Sequence, residues 1–261
     1  MDEVRLSVDA RGVATVTLNR PELHNALDGE TVDLLTATFE TLAEDDSVRI
    51  VVLTGSGISF SAGHDHAWMR RQLEHDDEAR RRHALGQARL LATLDALPLP
   101  TVARVQGSAF GLGAGLVACC DVAVAASEAL FSFSDVRLGQ LPAVVAPHVI
   151  RAIGERAARR YFVTGERFNA GKAKRLGLIH QDVEADELDA AVRCLIEQLL
   201  LNGPQAMRET KALVRDLMAQ APGEARERFA VECAVRVGAG DEGREGLRAF
   251  LEQRKPRWSA G

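Results

Sequence analysis

The segment Gly107-Ser108-Ala109-Phe110-Gly111-Leu112-Gly113-Ala114-Gly115 follows a short apolar run, Thr101 to Val105, and opens into another that ends at Cys120. Glycines this dense, between a strand-like run and a helix-like one, let the backbone approach a ligand closely at a helix N-terminus. A second loop, Phe60-Ser61-Ala62-Gly63-His64-Asp65, precedes it. In this order the two loops can bring two backbone N–H groups onto one carbonyl oxygen. Such a pair stabilises an enolate, as thioester chemistry requires, and that electrostatic contribution is often the largest in catalysis. The G-x-G-x-G spacing in mid-chain is not the G-x-G-x-x-G of a dinucleotide fold, so no nicotinamide cofactor is read from it.

Working outward, Val4 to Val8 and Val13 to Leu18 alternate apolar and polar residues around Asp9-Ala10-Arg11-Gly12, the pattern of a hairpin. Asp28 is placed to cap a helix running to about Ala43. Val48 to Thr54 is a largely apolar run rich in β-branched residues, as suits a parallel strand buried on both faces. Residues 67–97 read as helical, charged between Arg70 and Arg82 and ended by Pro98 and Pro100. Further strands are expected at Val122 to Ala125 and Leu130 to Phe133, so the chain is α/β. From about Ala185 it reads as helical, with Pro204 opening one helix. A core over residues 1–195 and a helical oligomerisation region over residues 196–261 are therefore expected.

The 261 residues are 46% hydrophobic and 26% charged, enough for a sizeable core. The net charge is −5, so no global basic field argues for a nucleic acid or an anionic membrane as partner. The N-terminus has no apolar signal segment, and no apolar run is long enough to span a bilayer. Four cysteines, Cys119, Cys120, Cys194 and Cys233, show no metal-binding spacing. A reducing cytoplasm is the expected location.

Six motifs now stand in order: Asn19-Arg20-Pro21 with Asn25-Ala26-Leu27; Phe60 to Asp65; Gly107 through Gly115 to Asp121; Leu138-Gly139-Gln140-Leu141-Pro142; Thr164 to Ala170 with Gly177-Leu178-Ile179; and Phe250 to Pro256. Over essentially its whole length the chain resembles the crotonase (enoyl-CoA hydratase/isomerase) superfamily. The resemblance implies an α/β spiral of ββα turns with a C-terminal helical trimerisation region, forming a homotrimer or a dimer of trimers. It implies an acyl-CoA thioester substrate, with CoA entering as part of the substrate and neither cofactor nor metal required. It puts an oxyanion hole at the backbone N–H groups of His64 and Leu112. It also implies substrate or CoA contacts from Arg20, Leu23, Ala26 and Leu27, from Ala62, Gly63, Asp65, His66 and Trp68, from Gly111 and Gly115, from Arg137 and Gly139, and from Phe250.

One departure bears on mechanism. Hydratases of this family carry two glutamates, and the first falls where this chain has Gly115. The second falls at Asp135, shorter by one methylene, about 1.5 Å of reach. One carboxylate remains as the catalytic candidate. It can take a proton from water and return one to C2, which makes an enoyl-CoA hydratase (a hydro-lyase) the leading expectation. The same single carboxylate can shuttle a proton between two carbons, so a Δ3,Δ2-enoyl-CoA isomerase stays open, as does an acyl-CoA-binding protein without chemistry. Phe131 to Pro147 and Ala67-Trp68-Met69-Arg70-Arg71 look like the methylglutaconyl-CoA hydratase branch. On that reading Arg137 or Arg71 pairs with a distal carboxylate of the acyl group.

The remaining residues carry two readings each. His64 either lends only its backbone N–H, with the ring packed on CoA, or also offers an acid/base imidazole. His64, Asp65, His66 and His75 are a weak ligand set, and no metal is read there. Asp65 is read as shaping its loop, Asp121 as structural, and the Arg70–Arg82 run as a solvated helix face.

Overall fold

The computed structural model describes residues 2–74 and 76–259, apart from the side chains of His66 and Gln72. His75 therefore lies outside the described residues. β1 (Val4–Val8) and β2 (Val13–Leu18) form the expected antiparallel hairpin, with Val4 opposite Leu18. α1 (Gly29–Glu44) begins where predicted: the Asp28 carboxylate accepts from the Thr31 N–H at 2.9 Å. β3 (Ile50–Gly55) is buried along its whole length, because it is flanked on both sides by parallel neighbours.

The helical stretch expected over residues 67–97 is divided into two helices, α2 (His66–Gln72) and α3 (Asp77–Ala96). The break has a local cause. Asp76 accepts from the Ala79 N–H at 2.7 Å and starts a new helix, and such a side-chain cap favours a fresh N-terminus. α3 then buries Gln87, Leu90, Leu91 and Leu94, and packs against α1.

β4 (Thr101–Val105) leads through β5 (Ala109–Phe110) to α4 (Leu112–Cys119), buried on nearly every side. β6 (Val122–Ala126) and β7 (Leu130–Ser132) follow, then α5 (Ala146–Thr164), β8 (Phe168–Asn169), α6 (Ala170–Leu176) and β9 (Gln181–Val183). One sheet runs β1-β2-β3-β4-β6-β9, parallel from β2 onward, and a second runs β5-β7-β8. Asp121 ties two parallel strands together by accepting from the Thr101 N–H and hydroxyl, each at 2.8 Å.

α7 (Leu188–Leu200), α8 (Pro204–Met218), α9 (Glu224–Ala239) and α10 (Asp241–Leu251) complete the chain. The chain divides into two compact units, residues 1–97 with 101–192 and residues 98–100 with 193–261. Among the described residues no helix is long and apolar enough to cross a membrane.

The second unit is tied by carboxylates on α10. Glu242 accepts from the Gln205 and Ala206 N–H groups at 3.0 and 2.7 Å, so its charge caps the N-terminus of α8. Glu245 holds the end of the chain. It takes two hydrogen bonds from the Arg254 guanidinium, at 2.7 and 3.0 Å, and one from the Arg257 N–H at 3.2 Å. The Arg254 hydrogen bonds, opposed by desolvation and aided by the Arg257 N–H, push the Glu245 carboxyl down from 4.5 to about 2. A depressed acid contributes stability above its unfolded pKa and loses it as pH falls through the folded one. Thermal melting should therefore lose a component as pH falls from about 4.5 to about 2. Glu245→Gln should lower the Tm at pH 7 and flatten that part of the acid profile in scanning calorimetry.

Candidate active site

The two glycine loops meet through backbone. Phe60 and Ser61 N–H groups both donate to Ser108 O at 3.1 Å, and the Phe110 N–H donates to Ser61 O at 2.9 Å. On its other side the first loop is stitched to the segment before α1. Ala62 N–H reaches His24 O at 2.9 Å, Leu27 N–H reaches Gly63 O at 2.7 Å, and Asp65 N–H reaches Leu27 O at 3.1 Å. The loops lie so close that a Cβ on Gly113 would sit 2.7 Å from the Ser61 Cβ. Gly63 and Gly111 turn with φ of 87° and 50°, which side-chain-bearing residues rarely adopt.

This stitching leaves two donors beside the cavity unengaged, His64 and Leu112. Among the described residues, neither the His64 N–H nor the Leu112 N–H makes a hydrogen bond, although their neighbours Gly63, Asp65 and Gly111 do. Leu112 is the first residue of α4, where an N–H has no partner within the helix. Both residues line a cavity of about 500 Å³.

Asp135 lines the same cavity. It follows β7 at the start of a short 3₁₀ turn, Asp135–Leu138, whose backbone is closed by Gln140 N–H on Asp135 O at 3.1 Å. The backbone is thus fixed, while the half-buried carboxylate has no hydrogen-bond partner among the described residues. Asp65 and Asp121, by contrast, are both engaged.

The position of the missing acid is closed. Gly115 is buried in α4, and a Cβ there would lie 2.6 Å from Val145 Cγ1 and 3.5 Å from Leu91 Cδ2. Val145 fills that space and itself lines the cavity, whereas Gly115 does not.

Other residues singled out in the sequence lie elsewhere. Arg20, expected to contact CoA, pairs internally with Asp28 at 3.0 Å, Asp65 at 3.3 Å and Glu3 at 3.4 Å, with 13% of its side chain exposed. Burial raises the Asp28 pKa, but hydrogen bonds from Thr31 and the Arg20 charge outweigh it and hold that carboxyl below its ordinary range. Asp65 is spent on Arg20 and on capping α2 through the Trp68 N–H at 2.8 Å. Ala26 and Leu27 are buried beneath the first loop, and Leu23 is exposed on a 3₁₀ turn. Ala62 is exposed and Gly63 buried within the first loop. Gly139 caps the turn after Asp135 with a φ of 69°, and Arg137 is exposed with its guanidinium near Gly165. None of these lines the cavity. Gly111 and Trp68 do. The His66 side chain lies outside the described residues. Phe250 is 79% exposed on α10 in the second unit.

The sequence reading missed much of the far wall. α3 contributes Arg80, His83, Ala84 and Gln87, and α2 contributes Met69 and Arg70. Trp68 stacks between two imidazoles, 5.3 Å from His64 and 3.9 Å from His83 by ring centroids. His83 is in turn 2.7 Å from the Gln87 amide. Leu138, Leu141 and Val144 supply apolar surface opposite.

The chain matches the enoyl-CoA hydratase/isomerase family over residues 9–261. Its fold superposes with a TM-score of 0.95 on an enoyl-CoA hydratase from Shewanella pealeana, 40% identical, covering 98% of this chain and 96% of that one. It superposes with a TM-score of 0.94 on Pseudomonas aeruginosa AtuE, 37% identical, covering 99% and 100%. A crotonyl-CoA hydratase from Syntrophomonas wolfei is 33% identical over 93% of each chain.

The packing at Gly115 makes a prediction. Gly115→Glu should not supply a second acid. It should lower stability by about 1–3 kcal/mol through overpacking against Val145, and Val145→Ala in the same chain should recover part of the loss in a denaturant titration.

Proposed function

Because the chain belongs to the enoyl-CoA hydratase/isomerase family, of the crotonase superfamily, we propose that it adds water across the C2=C3 bond of an enoyl-CoA thioester with a single carboxylate. The observation that carries this reading is the pair of unengaged N–H groups, His64 and Leu112, in one cavity with the unengaged carboxylate of Asp135. The two N–H groups take the thioester oxygen and hold the charge that develops there as the enolate forms. Asp135 accepts a proton from water as the oxygen adds to C3, then delivers that proton to C2. Water is added in full and the carboxylate is restored. The backbone donors belong to stitched loops and need no rearrangement as charge builds, which is where such a site gains its advantage.

The acyl group on this reading is branched or carries a distal carboxylate. Arg70 and Arg80 in the cavity wall support it, and they replace Arg137 and Arg71 as the guanidinium candidates. Moving a double bond also needs only one carboxylate, so isomerisation is the second reading. The CoA moiety arrives with the substrate, and no metal or other cofactor enters these steps. A homotrimer or dimer of trimers fits the exposed apolar side chains of the helical unit, among them Val231, Val235, Leu247 and Leu251.

Mass spectrometry of products from crotonyl-, longer straight-chain, 3-enoyl- and 3-methylglutaconyl-CoA tests the reaction. A gain of one water is expected, and a shifted double bond without mass change would instead make the enzyme an isomerase. Asp135→Asn should lower kcat about 10²–10⁴-fold with the fold intact; turnover within a few-fold of the natural protein would refute the role of Asp135. Arg70→Ala with Arg80→Ala should raise KM for the carboxylated substrate and leave crotonyl-CoA turnover nearly unchanged.

A further inference from the structure

Two helices that contribute to the cavity, α3 and α4, also meet α5 at a point that does not line it. Asp95 lies near the end of α3, Cys119 closes α4, and His148 stands in the first turn of α5. One carboxylate oxygen, the thiol sulfur and one imidazole nitrogen lie within 4.8 Å of one another. Cys119 is 3% exposed, and the His148 and Asp95 side chains are 15% and 21% exposed. His148 Nδ1 is buried and has no hydrogen-bond partner among the described residues; the nearest carboxylate, Asp95 Oδ2, stands 3.8 Å away. Folded proteins rarely leave a buried ring nitrogen in this condition unless an ion or a water satisfies it.

We propose that Asp95, Cys119 and His148 form a binding site for a thiophilic divalent cation of the zinc type. Thiolate, imidazole and carboxylate are zinc's usual donors, at about 2.0–2.3 Å, which sets ligand atoms roughly 3.5 Å apart around a tetrahedron. Small side-chain rotations bring the three donors to that spacing, and water completes the fourth position. Binding exchanges the Cys119 thiol proton for the metal, so one proton leaves per ion bound. Arg151 serves the site from outside. Its guanidinium grips both Asp95 oxygens, from Nη1 to Oδ2 at 3.1 Å and from Nη2 to Oδ1. That grip fixes the carboxylate plane and leaves each oxygen a further lone pair, as outer partners of metal ligands do.

The ligands come from sequence positions 95, 119 and 148 on three separate helices, which is why no ligand spacing is legible in the chain. An ion here ties the end of α4, whose first residue is Leu112, to α3, which carries His83 and Gln87, and to α5, which follows Val145. It would therefore stiffen the cavity without entering it.

Equilibrium dialysis of the full chain against zinc, and then cobalt, tests this. One equivalent of zinc retained at micromolar free metal is expected, with a thiolate-to-cobalt charge-transfer band in the cobalt form. Both should be lost in Cys119→Ala and in His148→Asn, and both kept in Cys194→Ala and Cys233→Ala. If Cys119→Ala does not fold by circular dichroism, His148→Asn decides, since that side chain is less deeply placed. No retained zinc in the natural sequence, or retention unchanged in His148→Asn, would overturn the proposal.

Discussion

The site depends on the contact between Ser61 and Gly113, where a single added methyl would collide at 2.7 Å. Everything at the site follows from that approach. It lets two loops from different parts of the chain share backbone hydrogen bonds through Ser108 and Phe110. Because the loops bond each other so fully, the backbone at His64 and Leu112, whose N–H groups have no partner among the described residues, is fixed by its bonded neighbours. The positions of these donors are thus set by backbone packing, and no side-chain rotamer has to be ordered to place them.

The first loop is braced from below by charge. Arg20 gathers Glu3, Asp28 and Asp65, and two of those acids also cap helices, Asp28 for α1 and Asp65 for α2. A half-buried cation with three acids is stable only when its partners are satisfied elsewhere as well, and here the caps supply those hydrogen bonds. The result is one electrostatic knot that fixes where β2, α1 and α2 start or end relative to the loop. A charged loop residue in a sequence invites assignment to a ligand. Arg20 and Asp65 show the alternative, in which the partner is internal and distant in the chain.

Local pattern carried most of the fold. Alternation marked the β1–β2 hairpin, a run rich in β-branched residues marked β3, and an aspartate before an amphipathic stretch marked the cap of α1, because each depends on residues near one another. The break between α2 and α3 was hidden because a charged, helix-favouring run shows no interruption until Asp76 spends its side chain on a cap. The far wall was hidden for a related reason. Arg80, His83, Ala84 and Gln87 share one helical face at spacings of three, four and seven. That signal was present, but a run rich in arginine and acid reads as solvated unless one knows that a cavity faces it. Which side chain fills the place of a missing acid was beyond local reading altogether, since Val145 reaches Gly115 from another element.

The site divides its labour in a way that bears on how such a chain changes its chemistry. The electrostatic half is built into backbone, guarded by glycines that cannot accept a side chain without parting the loops. The proton-transfer half, on the proposed reading, rests on one carboxylate at the start of a 3₁₀ turn. With Val145 packed against Gly115, a second acid cannot be regained there by a single substitution; the neighbour must shrink as well. On the proposed reading, both the direction of proton transfer and the choice of acyl group are controlled by side chains that line the cavity. Asp135 has no side-chain hydrogen-bond partner among the described residues to lose, and Arg70 and Arg80 stand on helices already rich in charge. On the proposed reading, enolate stabilisation is held by packing, while specificity and reaction outcome are set where packing is indifferent.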